Sequence, residues 1–416
     1  MTATESSSPT HRAVRRCCHL GMFIQAMVIN LTPLFFIPLR AQYELSFEQL
    51  GRLVLVNFFT QMAVDLLCTA VVDRFGLVKP LTVAAQALAA VGLWLFAAAP
   101  LLFPDAPYHG LLLGTVVFSM GCGLLEVLIS PIIHAVPSTR KEADMALLHA
   151  FYPIGKVAVI AVTAVALFAF GHGAWGWIAV AWSVVPLLNT FGFLAVKLPP
   201  LVHESQREKT RTMARTRFFW LALFGILLAG AAEVTLAQWT SAYAQTVLGF
   251  SQLVSDGIGF GLFGAMMIVG RLWFGLHGAE ISLRPLLITG ALLAAVCYAV
   301  MALSPWPILA LAACILAGLF VSLLWPGIVA LGAAAFPRAG ISLFALLAAF
   351  GDTGCGIGPW LVGYTADHVT ATAGASGPAL FADYAPAQAG LRTGFLLAAL
   401  FPLALAPLLW RLKRRT

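Results

Sequence analysis

Residues 62–92 read MAVDLLCTAVVDRFGLVKPLTVAAQALAAVG, and residues 267–297 read MIVGRLWFGLHGAEISLRPLLITGALLAAVC. Laid over each other without a gap, they share Met, Val, Leu, Pro, Leu, Leu, Ala, Ala and Val at matching positions. Two more pairs follow in the same order. GLLEVLISP (123–131) matches GLFVSLLWP (318–326), and ALLHAFYPIG (146–155) matches ALLAAFGDTG (345–354). The offsets of 205, 195 and 199 stay nearly constant, which similar apolar composition alone does not explain. The chain therefore reads as two copies of one unit.

Composition says what kind of unit it is. Of 416 residues 61% are hydrophobic, while 24 Lys+Arg and 17 Asp+Glu make up only 10%. A soluble protein carries roughly 25% charge. A membrane helix uses about 20 apolar residues, so twelve helices would take up almost the whole apolar inventory. A soluble enzyme, a nucleic-acid binder and a disordered chain are excluded. The net charge of +7 reports cationic loops between apolar runs rather than an affinity for nucleic acid. Seven cysteines at 17, 18, 68, 122, 297, 314 and 355 show neither paired nor metal-like spacing. Residues 1–16 and the apolar run after them do not read as a cleaved signal, because the run is too long.

Twelve apolar segments follow, near 18–40, 48–72, 79–102, 109–136, 144–170, 175–197, 217–246, 252–277, 284–304, 307–336, 340–366 and 389–410. The longest strongly charged break, PPLVHESQREKTRTMARTR at 198–216, divides them six and six. The expected domains are a cytoplasmic tail (1–17), a first bundle (18–197), a cytoplasmic linker (198–216), a second bundle (217–410) and a cytoplasmic tail (411–416). With both termini inside, 20 of the 24 cations fall in inner segments, and the outer segments keep only Arg40, Arg52 and Arg392. That is the positive-inside bias, and it predicts a multi-pass protein of the cell inner membrane. The fold class expected is an all-α membrane protein of two pseudo-symmetric six-helix bundles. Duplicated bundles of this kind hold a solute site at the midplane and expose it alternately to the two sides.

Charges inside such segments cost several kcal/mol and mark function by default. Glu126 lies in the middle of segment 4 and is the candidate proton and substrate residue; its counterpart in the second half is Val321. Lys156, in segment 5, needs an acidic partner, and Glu126 is the simplest one. His149 shares a helical face with Lys156 and is a second candidate for proton coupling. In segment 7, Glu233, Gln238, Trp239 and Tyr243 combine an acid, an amide and rings, which suits a sugar-like ligand. Asn30 in segment 1 and Asp352 in segment 11 complete the candidate substrate site. Asp65, near the inner end of segment 2, reads as structural. Gly354-Cys-Gly356-Ile-Gly358 has no strand before it, so it reads as close helix packing rather than a phosphate loop.

Asp73-Arg74-Phe75-Gly76-Leu77-Val78-Lys79, between segments 2 and 3, resembles the loop signature of the major facilitator superfamily, with Gly270-Arg271 and Gly275 as its remnant in the second half. The resemblance implies that Asp73, Arg74, Gly76 and Arg271 form a conformational latch. Glu126 to Pro131 followed by LLHAFYPIG is similar to the fucose-permease branch of proton-coupled sugar symporters, with Phe151 and Gly155 matching that branch's segment-5 pattern. The branch has an acid shortly after its segment-1 Asn-Leu pair. Here Asn30-Leu31 is followed by Thr32-Pro33.

The expected function is secondary transport of a small polar solute, a sugar or sugar derivative, by proton-coupled alternating access. The alternatives are an exporter of an organic anion or amphiphile, with Lys156 holding the anion, and a membrane receptor that no longer transports. No enzymatic activity, metal or cofactor is expected. The expected partners are the solute, protons and the lipid bilayer, and the expected state is a monomer.

Overall fold

The computed structural model describes residues 9–75, 77–138, 141–199, 210–277, 281–336, 340–372 and 379–412. Among them are twelve helices long and apolar enough to cross a membrane. They are α1 (His11–Tyr43), α2 (Phe47–Leu67), α3 (Val78–Ala97), α4 (Pro107–Ile133), α5 (Leu147–Phe170) and α6 (His172–Ala195), then α7 (Arg217–Thr246), α8 (Val254–Phe274), α9 (Leu283–Leu303), α10 (Pro307–Gly332), α11 (Ala345–Thr372) and α12 (Pro386–Arg411). The described residues are almost entirely helical, as a bilayer requires of a chain whose backbone polar groups must be satisfied internally.

Local chemistry sets the ends. Pro107, Pro307 and Pro386 open their helices, where the missing N–H costs nothing. The Thr216 hydroxyl accepts the Phe219 N–H at 3.3 Å and caps α7. Several helices are irregular. A 3-10 turn at Thr32–Phe35, with Pro33, interrupts α1. A π-helical stretch at Val254–Gly261 opens α8, and α10 is broken between Val321 and Leu324.

The chain forms two compact units. One holds Met1–Pro38 and Phe59–His203, the other Leu39–Phe58 and Glu204–Thr416. The first unit packs α3 on α4, α1 on α5, and α3 on α6. The second packs α9 on α10, α7 on α11, and α9 on α12. Each pair in the second unit lies six helices after its counterpart, so the repeat in the sequence is also a repeat of packing. Small residues make it close. In the first unit, a Cβ on Gly92 would strike the Phe118 backbone, and one on Gly114 the Phe96 backbone. In the second, Gly354 leaves room for the Leu227 carbonyl and Gly358 for Ala231 and Thr235. This is the small-residue helix packing of membrane proteins. Apolar side chains such as Leu67, Phe168, Trp177 and Ile308 point outward, as lipid contact demands.

The units depart from the sequence division at Leu39–Phe58, which belongs to the second. Phe47 N–H donates to Asp367 of α11 at 3.0 Å, and Glu48 N–H donates to the same carboxylate. Trp360 Nε1 donates to Glu48 at 2.9 Å. A helix also begins at Pro9, within the stretch read as an N-terminal tail. Val14 and Cys18 are fully buried, and Arg15 pairs with Asp144 at 3.1 Å. That helix therefore runs well ahead of residue 18.

Candidate substrate and proton site

In the first unit, Glu126 is brought into a polar group by the glycines that precede it on α4. A Cβ on Gly121 would meet the Ala85 carbonyl of α3 at 2.5 Å; one on Gly123 would meet Gln61 O at 3.0 Å and Asp65 Oδ1 at 3.1 Å on α2. Without side chains there, both neighbours come close. As a result, carboxylate oxygens of Asp65 and Glu126 lie within 4.8 Å of each other. Gln25 of α1 donates its Nε2 to Glu126 Oε2 at 3.0 Å. Asp65 is buried and Glu126 half-buried.

Two ionised carboxylates at this separation repel by about 3 kcal/mol at an effective dielectric near 20. The pair suits a shared proton or a bound cation.

Lys156 is buried on α5, where Gly155 packs against the Phe23 backbone of α1. Helix α1 thus lies against both α4 and α5, with Glu126 on one and Lys156 on the other. His149, two turns earlier on α5, is exposed. His19 of α1 stacks on Phe151 of α5, with ring centroids 4.6 Å apart. Asn30 is buried and turns its Nδ2 back to Ala26 O at 2.8 Å, just before the 3-10 turn.

In the second unit, Glu233 pairs with Arg271 of α8 at 3.6 Å. Arg271 Nε also donates to Ser322 O at 3.2 Å, at the break of α10, where a carbonyl loses its helical partner. Two residues to which the sequence assigns different roles, ligand binding and a latch, are thus one ion pair. Gln238 is buried. Trp239 is fully enclosed, donating to Pro359 O at 2.9 Å and meeting Phe47 edge-on at 5.8 Å. Tyr243 is enclosed too, its hydroxyl donating to Met301 O. These two rings tie helices together in this structure. Asp352 is buried on α11, one residue after Gly351, which packs against the Trp325 ring. Gly76 and the side chains of Asp73 and Arg74 lie outside the described residues.

Three polar residues escape the sequence reading. Gln25 is one amide in an apolar run, and nothing in the run itself points to its partner. Asp256 lies in SDGIGFG at the start of an apolar segment, where an acid passes for a loop residue. Arg392 counts as a loop cation in the sequence, yet it is buried and donates to Ala302 O at 2.8 Å and Ser304 O at 2.9 Å.

Twelve spanning helices, a duplicated packing scheme and buried charged groups define a polytopic membrane protein of the transporter class. The profile of the Major Facilitator Superfamily matches residues 18–282, and the chain belongs to that family. Comparison with curated protein sequences finds no match. Among solved structures, a bacterial homologue of the human lysosomal transporter Spinster is similar with a TM-score of 0.73 and 16% identity, over 99% of this chain and 98% of that one. A D-xylose-proton symporter gives 0.75 and 16%, over 98% and 100%. The E. coli fucose:proton symporter gives 0.64 and 15%, over 98% and 100%. At these identities the likeness establishes the fold.

Proposed function

We propose that the protein carries a small polar solute, a sugar or sugar derivative, across a cell inner membrane in company with protons. The Asp65–Glu126 pair is the observation that carries this reading. Two carboxylates within 4.8 Å in the first unit hold one proton between them far more favourably than none. Their charge state therefore answers to the proton gradient. Gln25 supplies a hydrogen bond to Glu126, and Lys156 supplies positive charge on the neighbouring helix. The proton role given to Glu126 by the sequence is kept, and Asp65 moves from a structural role to a partner in it. His149, Asn30, Glu233, Gln238 and Asp352 remain candidates for shaping the solute path; Trp239 and Tyr243 act through packing. The xylose and fucose symporters share this fold and are proton-coupled sugar carriers by name, which favours a sugar over an organic anion.

The test is uptake into proteoliposomes with an imposed inward proton gradient. The solutes are pentoses, hexoses and nucleosides that first raise the thermal stability of the purified protein. Glu126→Gln should lose gradient-driven accumulation by at least tenfold while still exchanging solute across the membrane at equal concentration. Accumulation as fast as wild type, with the same dependence on pH, would refute the coupling role.

A further inference from the structure

A further buried carboxyl lies in the second unit, apart from the Asp65–Glu126 pair. Asp256 has no exposed surface and lies in the π-helical stretch Val254–Gly261. The local sequence, VSDGIGFG, places glycines at 257, 259 and 261; a Cβ on Gly259 would press on Leu311 of α10 at 3.3 Å and touch Thr240 of α7. π-helical turns inside α-helices occur frequently at functional sites. The Ser241 hydroxyl of α7 donates to Asp256 Oδ1, and Gln245 Nε2 donates in turn to Ser241 Oγ at 3.0 Å. Asp256 Oδ2 is buried, and the amide of Gln252, one turn earlier, faces it.

Charges near this carboxyl are few. The elements packed against the π-helical stretch are α7, the rest of α8, and α10. Up to the break in α10, their only charged or histidine side chains are Arg217, Glu233, Arg271 and His277. Glu233 and Arg271 pair with each other, and Glu233 lies eight residues from Ser241 along α7, roughly 12 Å at the helical rise. Arg217 opens α7 at the end away from Ser241, and His277 lies past Phe274, the last residue of α8. The groups facing Asp256 are therefore neutral: Ser241, Gln245 and Gln252. An ionised carboxylate enclosed among neutral donors, without a cation, is among the least favourable arrangements a protein interior offers. A carboxylic acid is not.

We propose that Asp256 is a proton-binding site of the second unit, separate from the Asp65–Glu126 pair. Its proton exchanges by way of Ser241, Gln245 and Gln252 toward the turn between α7 and α8. Gln245 and Gln252 are half-buried and Ser251 is exposed, so this polar chain leads from the enclosed acid to the surface. The inference rests on the transporter reading only for its use, not for its existence.

Infrared titration of the full-length protein in lipid tests it without any solute. In wild type at neutral pH, the C=O stretch of a protonated carboxyl should appear, shift on transfer to D2O, and be lost in Asp256→Asn. Ser241→Ala keeps the acid but removes the donor to Oδ1, so the same band should move to higher frequency; this second variant serves if Asp256→Asn fails to fold. Glu126→Gln should leave the Asp256 band unchanged. A neutral-pH spectrum in which Asp256→Asn removes a carboxylate band instead would overturn the proposal. An Asp256 band with no proton signal from Glu126 would count against the coupling pair alone, so the two failures are distinguishable.

Discussion

Arg392 shows how far a single side chain can differ from its reading in the sequence. It counts there as an outer loop cation, because a basic residue near the end of an apolar run usually is one. In the structure it is enclosed, its guanidinium lies 4.2 Å from the Tyr384 ring centre, and it donates to the last carbonyls of α9. Those carbonyls have no helical partner of their own, and charge-assisted bonds to them are strong. Arg392→Ala should therefore lower stability by about 3 kcal/mol, read as a fall in unfolding temperature in detergent; an unchanged midpoint would show that the bonds are dispensable. Glu126 was legible because an acid in the centre of an apolar segment has few benign readings. Its partners were not. Gln25 is 101 residues away and Asp65 is 61 residues away in sequence, and only the absence of side chains at Gly121 and Gly123 brings α2 and α3 onto α4.

At the scale of the helix, the repeat proved the most informative signal in the sequence. Apolar length alone finds twelve spanning segments. It does not say which segment lies against which, and the packing of α1 on α5 and of α7 on α11 is the same pairing made twice. The GCGIG run of α11 reads as a packing surface, and the structure agrees: Gly354 and Gly358 sit against α7, at Leu227, Ala231 and Thr235. Gly354→Leu should consequently prevent close packing of α7 on α11 and lower the yield of folded protein, whereas Gly173→Leu, with nothing within 4 Å of its would-be Cβ, should be tolerated. Equal folded yields by size-exclusion profile would contradict this. The irregular turns were not legible. A 3-10 turn, a π-helical stretch and a broken helix depend on which backbone groups find side-chain partners, such as the Arg271 guanidinium on Ser322 O, and apolar periodicity is blind to those partners.

For the whole molecule, the duplicated six-helix plan and membership of the Major Facilitator Superfamily make transport the frame in which every buried charge must be read. The first unit holds a close carboxylate pair with an amide donor, together with a buried lysine on a nearby helix. The second holds an ion pair, Glu233 with Arg271, and the buried acids Asp256 and Asp352. The halves share a scaffold but not their polar side chains, and Val321 at the counterpart of Glu126 is the clearest instance. Such asymmetry fits a division of labour in which the scaffold is duplicated and the proton chemistry is local. The most direct measurement of that claim is the pH inside proteoliposomes, followed with an enclosed dye while a solute selected by thermal shift enters down its own gradient, with membrane voltage clamped. Wild-type protein should acidify the interior in step with solute entry, and Asp65→Asn combined with Glu126→Gln should admit solute with no change in pH. Solute entry through the wild type without any acidification would contradict the account at its centre.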